Sequence, residues 1–257
     1  MTQWVRFRHQ DQTGFGTLSG DAIDVHTGEM FGVFKASGRH LALKDVELLA
    51  PCVPSKVIAL WNNFHALAAK LNVAEPPEPL YLLKAPTTVT APNAVVRKPK
   101  SYGGKVAYEG ELAIVIGRKC SDVSVAEADD FIHGYTCVND ITASDVLNRD
   151  PTFPQWARAK GFDDFCPFGP AIVTDIDPAA LTVRTILNGA ERQNYRISDM
   201  IFSAQELVSK ISQEMTLLPG DIIACGTSLG VGVMKEPVNT VTVAIDGIGE
   251  LTNEFRN

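Results

Sequence analysis

The chain is built mostly of short apolar runs separated by polar turns, and long helical periods are few. WVRFRH, GFGTLSG and DAIDVH near the start, and AIVTD, TVRTILNG, DIIACG and TVTVAIDG further on, have the length and composition of strands bounded by turn residues. VIAL at 57–60, after Pro51 and Pro54, reads as another. HALAAKL is a short Ala-rich helical patch, and the proline-rich EPPEPLYLLK that follows is too rigid for a helix. Two segments carry helix-start signals. Ser124 and Glu127 form an S-x-x-E capping box that predicts a helix to Gly134. Ser203 and Glu206 form a second, with Leu207, Ile211, Met215 and Leu218 at helical spacing before Pro219-Gly220. Strands that cluster without βαβ alternation predict a β-dominated α+β fold. The break near Pro51 and Pro54 divides it into a small β-rich N-terminal unit over 1–48 and a larger domain over 55–257.

Composition narrows the function classes. With 257 residues, 45% of them hydrophobic, there is ample material for a core. The net charge of −7 comes without any basic cluster, which argues against nucleic-acid or membrane-surface partners. MTQWVRFRHQDQTG lacks the apolar stretch of a signal peptide, and no run reaches membrane-span length. Cys52, Cys120, Cys137, Cys166 and Cys225 are scattered and form no C-x-x-C, as expected of reduced thiols in a cytoplasmic protein. Histidines without H-x-x-x-H spacing argue against zinc, so any metal is expected to be a hard one bound by oxygen.

The candidate chemistry starts in YEGELAIVIG, where a buried-looking strand opens with Glu109 and Glu111. Residues i and i+2 share a strand face about 6.6 Å apart. Two like charges placed so fit either an exposed strand end or a cation site. Asp140 ends the strand-like YTCVND and supplies a third carboxylate. Together the three would make an open-sided site for Mg²⁺ or Mn²⁺, with the remaining positions left to water or substrate. Lys160, in QWARAKGFDDFCPFGP, is either a solvated surface charge or a partner for an oxyanion beside that metal. GTSLG at 226–230 matches the G-x-S-x-G of a nucleophile elbow, but no helical period and no histidine follow Ser228. A glycine-rich turn remains, either plain surface or a cradle whose N–H groups and Thr227 hydroxyl hold a carboxylate.

The ordered set PLYLLKAP, YEGELAIVIG, GYTCVNDITASD, QWARAKGFDDFCPFGP and MTLLPGDIIACGTSLGVG resembles the fumarylacetoacetate hydrolase family over about residues 55–255. The likeness is to its small prokaryotic-type members, which act on acylpyruvates and 2-oxo-enol acids. The resemblance implies a mixed β-roll with flanking helices, usually a homodimer, and no organic cofactor. It also implies Glu109, Glu111 and Asp140 as ligands of one Mg²⁺ or Mn²⁺, Lys160 at the substrate's oxo or enolate oxygen, and Thr227 with Gly226 at its carboxylate. Gln155 is implied as a further substrate contact, and His65 as the base of a mobile segment. The implied activity is C–C hydrolysis of an acylpyruvate-like 2-oxo acid in aromatic catabolism. Three positions depart from the pattern: Ala68 where a glutamate usually partners the histidine, Trp61 and Asn62 for an Asn–Tyr pair, and Ser144 for an arginine. Isomerisation or decarboxylation needs the same enolate stabilisation without activated water, so Ala68 favours those reactions. A non-enzymatic protein with a structural metal is the reading from a different class, and Lys160 and Thr227 speak against it.

Overall fold

In the computed structural model, which describes residues 1–257, the strand-like runs pair into three sheets. The largest runs in the order Phe34–Ala42, Ala22–Gly28, Gln12–Ser19, Thr2–His9, Cys166–Thr174, Ile132–Asn139, Gly110–Ile116, Ile222–Ala224, Val57–Trp61, Leu80–Lys84. The N-terminal β-rich stretch joins it directly, since Thr2, Gln3 and Trp4 pair with Thr174, Val173 and Ile172. A five-stranded sheet, from Ala190–Arg196 through Thr182–Leu187, Val238–Ile245 and Gly249–Arg256 to Val95–Arg97, packs across its centre. Three short strands make up the third sheet: Thr142–Ala143, Val106–Tyr108 and Gly232–Val233. The architecture is the strand-dominated α+β one expected.

The strand Gly110–Ile116 lies at the centre and is buried throughout. Leu112, Ile114 and Ile116 point into the largest apolar cluster, with Val183, Val243, Leu207 and Ile211. Ala113 and Val115 face the other way, against Val57, Ala59 and Phe168. Both faces are covered, so the run reads as continuously apolar instead of alternating.

The α-helices are few: α1 (His65–Leu71), α2 (Ser144–Leu147), α3 (Trp156–Lys160) and α4 (Ala204–Glu214). The Ser203–Glu206 capping box forms, and α4 buries Leu207, Val208 and Ile211. It ends before Pro219 because Leu217 exchanges two backbone hydrogen bonds with Cys120, at 2.9 and 3.0 Å, which draws the chain out. The Ser124–Glu127 box forms as well, but its helix is a single 3₁₀ stretch, Val125–Phe131. Gly134, the expected helix end, lies inside the strand Ile132–Asn139. Pairing with Gly110–Ile116 takes up the segment, and the glycine admits the Val173 carbonyl, which would sit 2.3 Å from any Cβ there. No helix is long and apolar enough to cross a membrane. All five cysteines are buried thiols.

Candidate metal and active site

Strand register brings the three carboxylates together. Gly110 pairs with Asn139 and Glu111 with Val138, so the residues just outside this ladder, Glu109 and Asp140, meet at its end. The Asp140 N–H donates to the Glu109 carbonyl at 2.8 Å. One oxygen from each of Glu109, Glu111 and Asp140 falls within 4.8 Å of the others. Glu111 and Asp140 are fully buried and Glu109 is partly so, which removes the exposed-strand-end reading.

Two lysines hold this acidic cluster. Lys160, at the end of α3, donates to Asp140 Oδ2 at 2.5 Å, Glu109 Oε2 at 2.8 Å and Thr142 Oγ1 at 2.8 Å. Its ammonium is buried and not solvated. Lys84, the last residue of the strand Leu80–Lys84, donates to Asp140 Oδ1 and, at 2.8 Å, to the Phe165 carbonyl. Burial alone would raise the Asp140 pKa, but the two lysines outweigh it and hold the carboxyl below its usual range. Burial likewise disfavours the Lys160 charge, and Asp140, Glu109 and Glu111 reverse that, raising its pKa.

Glu111 is the under-compensated member. Burial, then repulsion from Asp140, pushes its pKa well above the ordinary carboxylate value. Its Oε2 accepts the Gly226 N–H at 2.9 Å, whereas its Oε1 is buried without a partner. A buried carboxylate oxygen left so lacks a positive partner. Three carboxylates with one oxygen unsatisfied form the donor set of a hard divalent cation, and these residues fit one.

The remaining candidates divide. Gly226 has φ +90°, a conformation glycine adopts freely, and this aims its N–H at Glu111 and so positions a carboxylate of the cluster. The Thr227 hydroxyl donates to the Gly110 carbonyl at 3.2 Å and accepts from Gln193 Nε2 at 2.8 Å. No helix follows Ser228, so the nucleophile elbow is absent. Gln155 sits at the start of α3, bonded to the Phe153 carbonyl at 3.0 Å and to Arg158 at 3.2 Å, and no hydrogen bond joins it to the carboxylates. His65 opens α1 on the surface, and its Nδ1 lies 2.6 Å from Glu75 Oε1. Position 68, where a histidine partner was sought, is a buried alanine. Lys84, Thr142, Gln193 and Glu75 were not among the sequence candidates. The signal for Lys84 was available, because it ends the alternating Leu80, Leu82, Lys84 face inside a quoted motif.

The fold is a strand-dominated α+β one whose central ladder ends in a lysine-clamped, oxygen-only acidic centre with the donor set to hold a hard cation. The chain belongs to the fumarylacetoacetate (FAA) hydrolase family, whose C-terminal profile matches residues 56–256; a Rv2993c-like N-terminal profile matches residues 2–51. The crystal structure of 2-hydroxyhepta-2,4-diene-1,7-dioate isomerase from Mycobacterium marinum is 42% identical, with a TM-score of 0.90 over 100% of this chain and 98% of that one. Oxaloacetate tautomerase YisK of Bacillus subtilis is 39% identical, covering 83% of this chain and 74% of its own. The structure of maleylpyruvate hydrolase from Sphingobium sp. SYK-6, in complex with manganese(II) and pyruvate, is 26% identical with a TM-score of 0.80, covering 100% of this chain and 99% of that one. This chain is an enzyme, as its family and relatives are.

Proposed function

We propose that the protein is a Mg²⁺- or Mn²⁺-dependent enzyme of 2-oxo (enol) acids that hydrolyses the C–C bond of an acylpyruvate-like substrate. The observation that carries the reading is the unpartnered Glu111 Oε1 within the Glu109–Glu111–Asp140 cluster, beside the Lys160 ammonium. Glu109, Glu111 and Asp140 would hold the cation, which supplies Lewis-acid polarisation of the 2-oxo acid when bound. Lys160 presents a fixed positive charge where an enolate oxygen develops, already oriented by two carboxylates and Thr142. Lys84 keeps Asp140 ionised and in place. The Glu75 carboxylate accepts from His65 Nδ1–H, and in the neutral imidazole held this way Nε2 is the nitrogen able to take a proton from water. That contact answers the objection raised by Ala68. The maleylpyruvate hydrolase relative, with manganese and pyruvate, supports the same chemistry.

The names of two other relatives favour a second reading, keto–enol isomerisation of a 2-oxo dicarboxylic acid, which needs no nucleophilic water. Running the reaction in ¹⁸O-water separates the two. Label in a product carboxylate is expected; its absence with substrate consumed would overturn hydrolysis in favour of isomerisation.

A further inference from the structure

Three chain segments that lead to the site also line a cavity of about 460 Å³. Trp156 opens α3 one helical turn before Lys160, and residues four apart share a helix face. Leu82 lies on the same strand face as Lys84, about 6.6 Å along the chain. Trp61 ends the strand that leads into His65. Two of its lining residues, Trp156 and Leu82, are thus same-face neighbours of Lys160 and Lys84, the two lysines that hold the carboxylate cluster.

The walls state what enters. The Trp61 and Trp156 rings stand 5.7 Å apart, tilted by 49°, with Leu80 and Leu82 beside them. The charged groups on the wall are both acidic, Glu78 and Glu214, the latter accepting a hydrogen bond from Tyr81. No lysine, arginine or histidine lines it. A second substrate carboxylate would meet like charge and apolar surface without a cation to neutralise it. A flat apolar group would instead bury area between two indoles.

We infer that this cavity is the subsite for the substrate's distal end, and that it selects uncharged aryl or bulky alkyl 2-oxo acids over 2-oxo dicarboxylates. The inference rests on the function proposed above. It also sets this chain apart from the relatives whose names specify dicarboxylates or oxaloacetate.

The test is binding, read from tryptophan fluorescence, since Trp61 and Trp156 face the ligand. Protein with Mg²⁺ is titrated with oxalate, phenylpyruvate and 2-oxoglutarate. Phenylpyruvate is expected to bind at least about tenfold more tightly than 2-oxoglutarate, with a change in tryptophan emission. Trp156→Ala is expected to remove about that tenfold for phenylpyruvate, the equivalent of one partly buried aromatic contact, and leave the oxalate Kd within about twofold. Because Trp156→Ala could disturb α3, Glu78→Arg on the exposed rim is the second variant. It is expected to tighten 2-oxoglutarate severalfold and leave oxalate unchanged. Oxalate binding with no preference for phenylpyruvate, or with neither variant shifting the ratio, would overturn the subsite alone. Failure of all three acids to bind would overturn the proposed function, and the subsite with it.

Discussion

His65 Nδ1 lies 2.6 Å from Glu75 Oε1, so the histidine at the head of α1 is paired across ten residues of chain and not within its own helix. Both side chains are about half exposed, which makes the pair a weak stabiliser of the fold. Its consequence is orientation: a carboxylate on Nδ1 fixes the ring and selects the neutral tautomer in which Nε2 is the basic nitrogen.

Glu75→Ala should therefore lower hydrolytic kcat by about 10–10², the range of general-base assistance, with melting temperature and metal affinity nearly unchanged. His65→Ala should fall at least as far, and the double variant no further than His65→Ala alone. An additive double variant in steady-state kinetics would show that the two residues do not act as a unit.

Lys160 donates to two of the three carboxylates without being a candidate ligand itself. Lys160→Met should cost about 10² in kcat, the scale of losing one oxyanion partner, while calorimetric metal affinity holds or rises as a competing cation is removed. Unchanged kcat would take Lys160 out of the chemistry.

Lys84 is the partner of a fully buried aspartate. Removing one side of a buried ion pair costs about 3–5 kcal/mol, so Lys84→Met should lower urea-unfolding stability by that order. A Lys84→Met protein as stable as the parent would mean that Lys160 alone compensates Asp140.

His133 packs edge-on against Phe31 at 5.0 Å and beside Trp4 at 5.9 Å, and its buried Nε2 has no partner. Burial holds its pKa below the usual histidine value. A group whose folded pKa is depressed gives stability that is complete above its unfolded pKa, about 6.5, and is lost as pH falls toward the folded value. Melting temperature should thus drop more between pH 7 and pH 5 in the parent than in His133→Gln. Parallel curves for the two proteins would contradict this.

A continuous apolar run made the strand Gly110–Ile116 legible in the sequence, the shared face of positions i and i+2 singled out its leading carboxylates, and a strand end marked Asp140. Their convergence was not local information. It depends on the antiparallel register that sets Gly110 opposite Asn139. The His65–Glu75 pair was hidden because the helical spacing rule points to position 68, and that position faces the interior. The capping box at Ser124 was read correctly as a start signal, but its strength gave no helix length. Sheet pairing of Ile132 and Gly134, a tertiary term, decided where the helix stopped. The pairing of Thr2–Trp4 with Ile172–Thr174, which ties the β-rich start to the large sheet, spans most of the chain and has no local signal in the sequence.

The central claim is that Glu109, Glu111 and Asp140 hold one divalent cation, and Mn²⁺ titration followed by electron paramagnetic resonance tests it most directly. The account predicts loss of the free Mn²⁺ signal up to one equivalent per chain for the parent protein. It predicts at least about 10² weaker binding, the upper range for disturbing a metal site's support, for Glu111→Gln with its circular dichroism unchanged. Binding that is absent in the parent, or equally tight in Glu111→Gln, would contradict it.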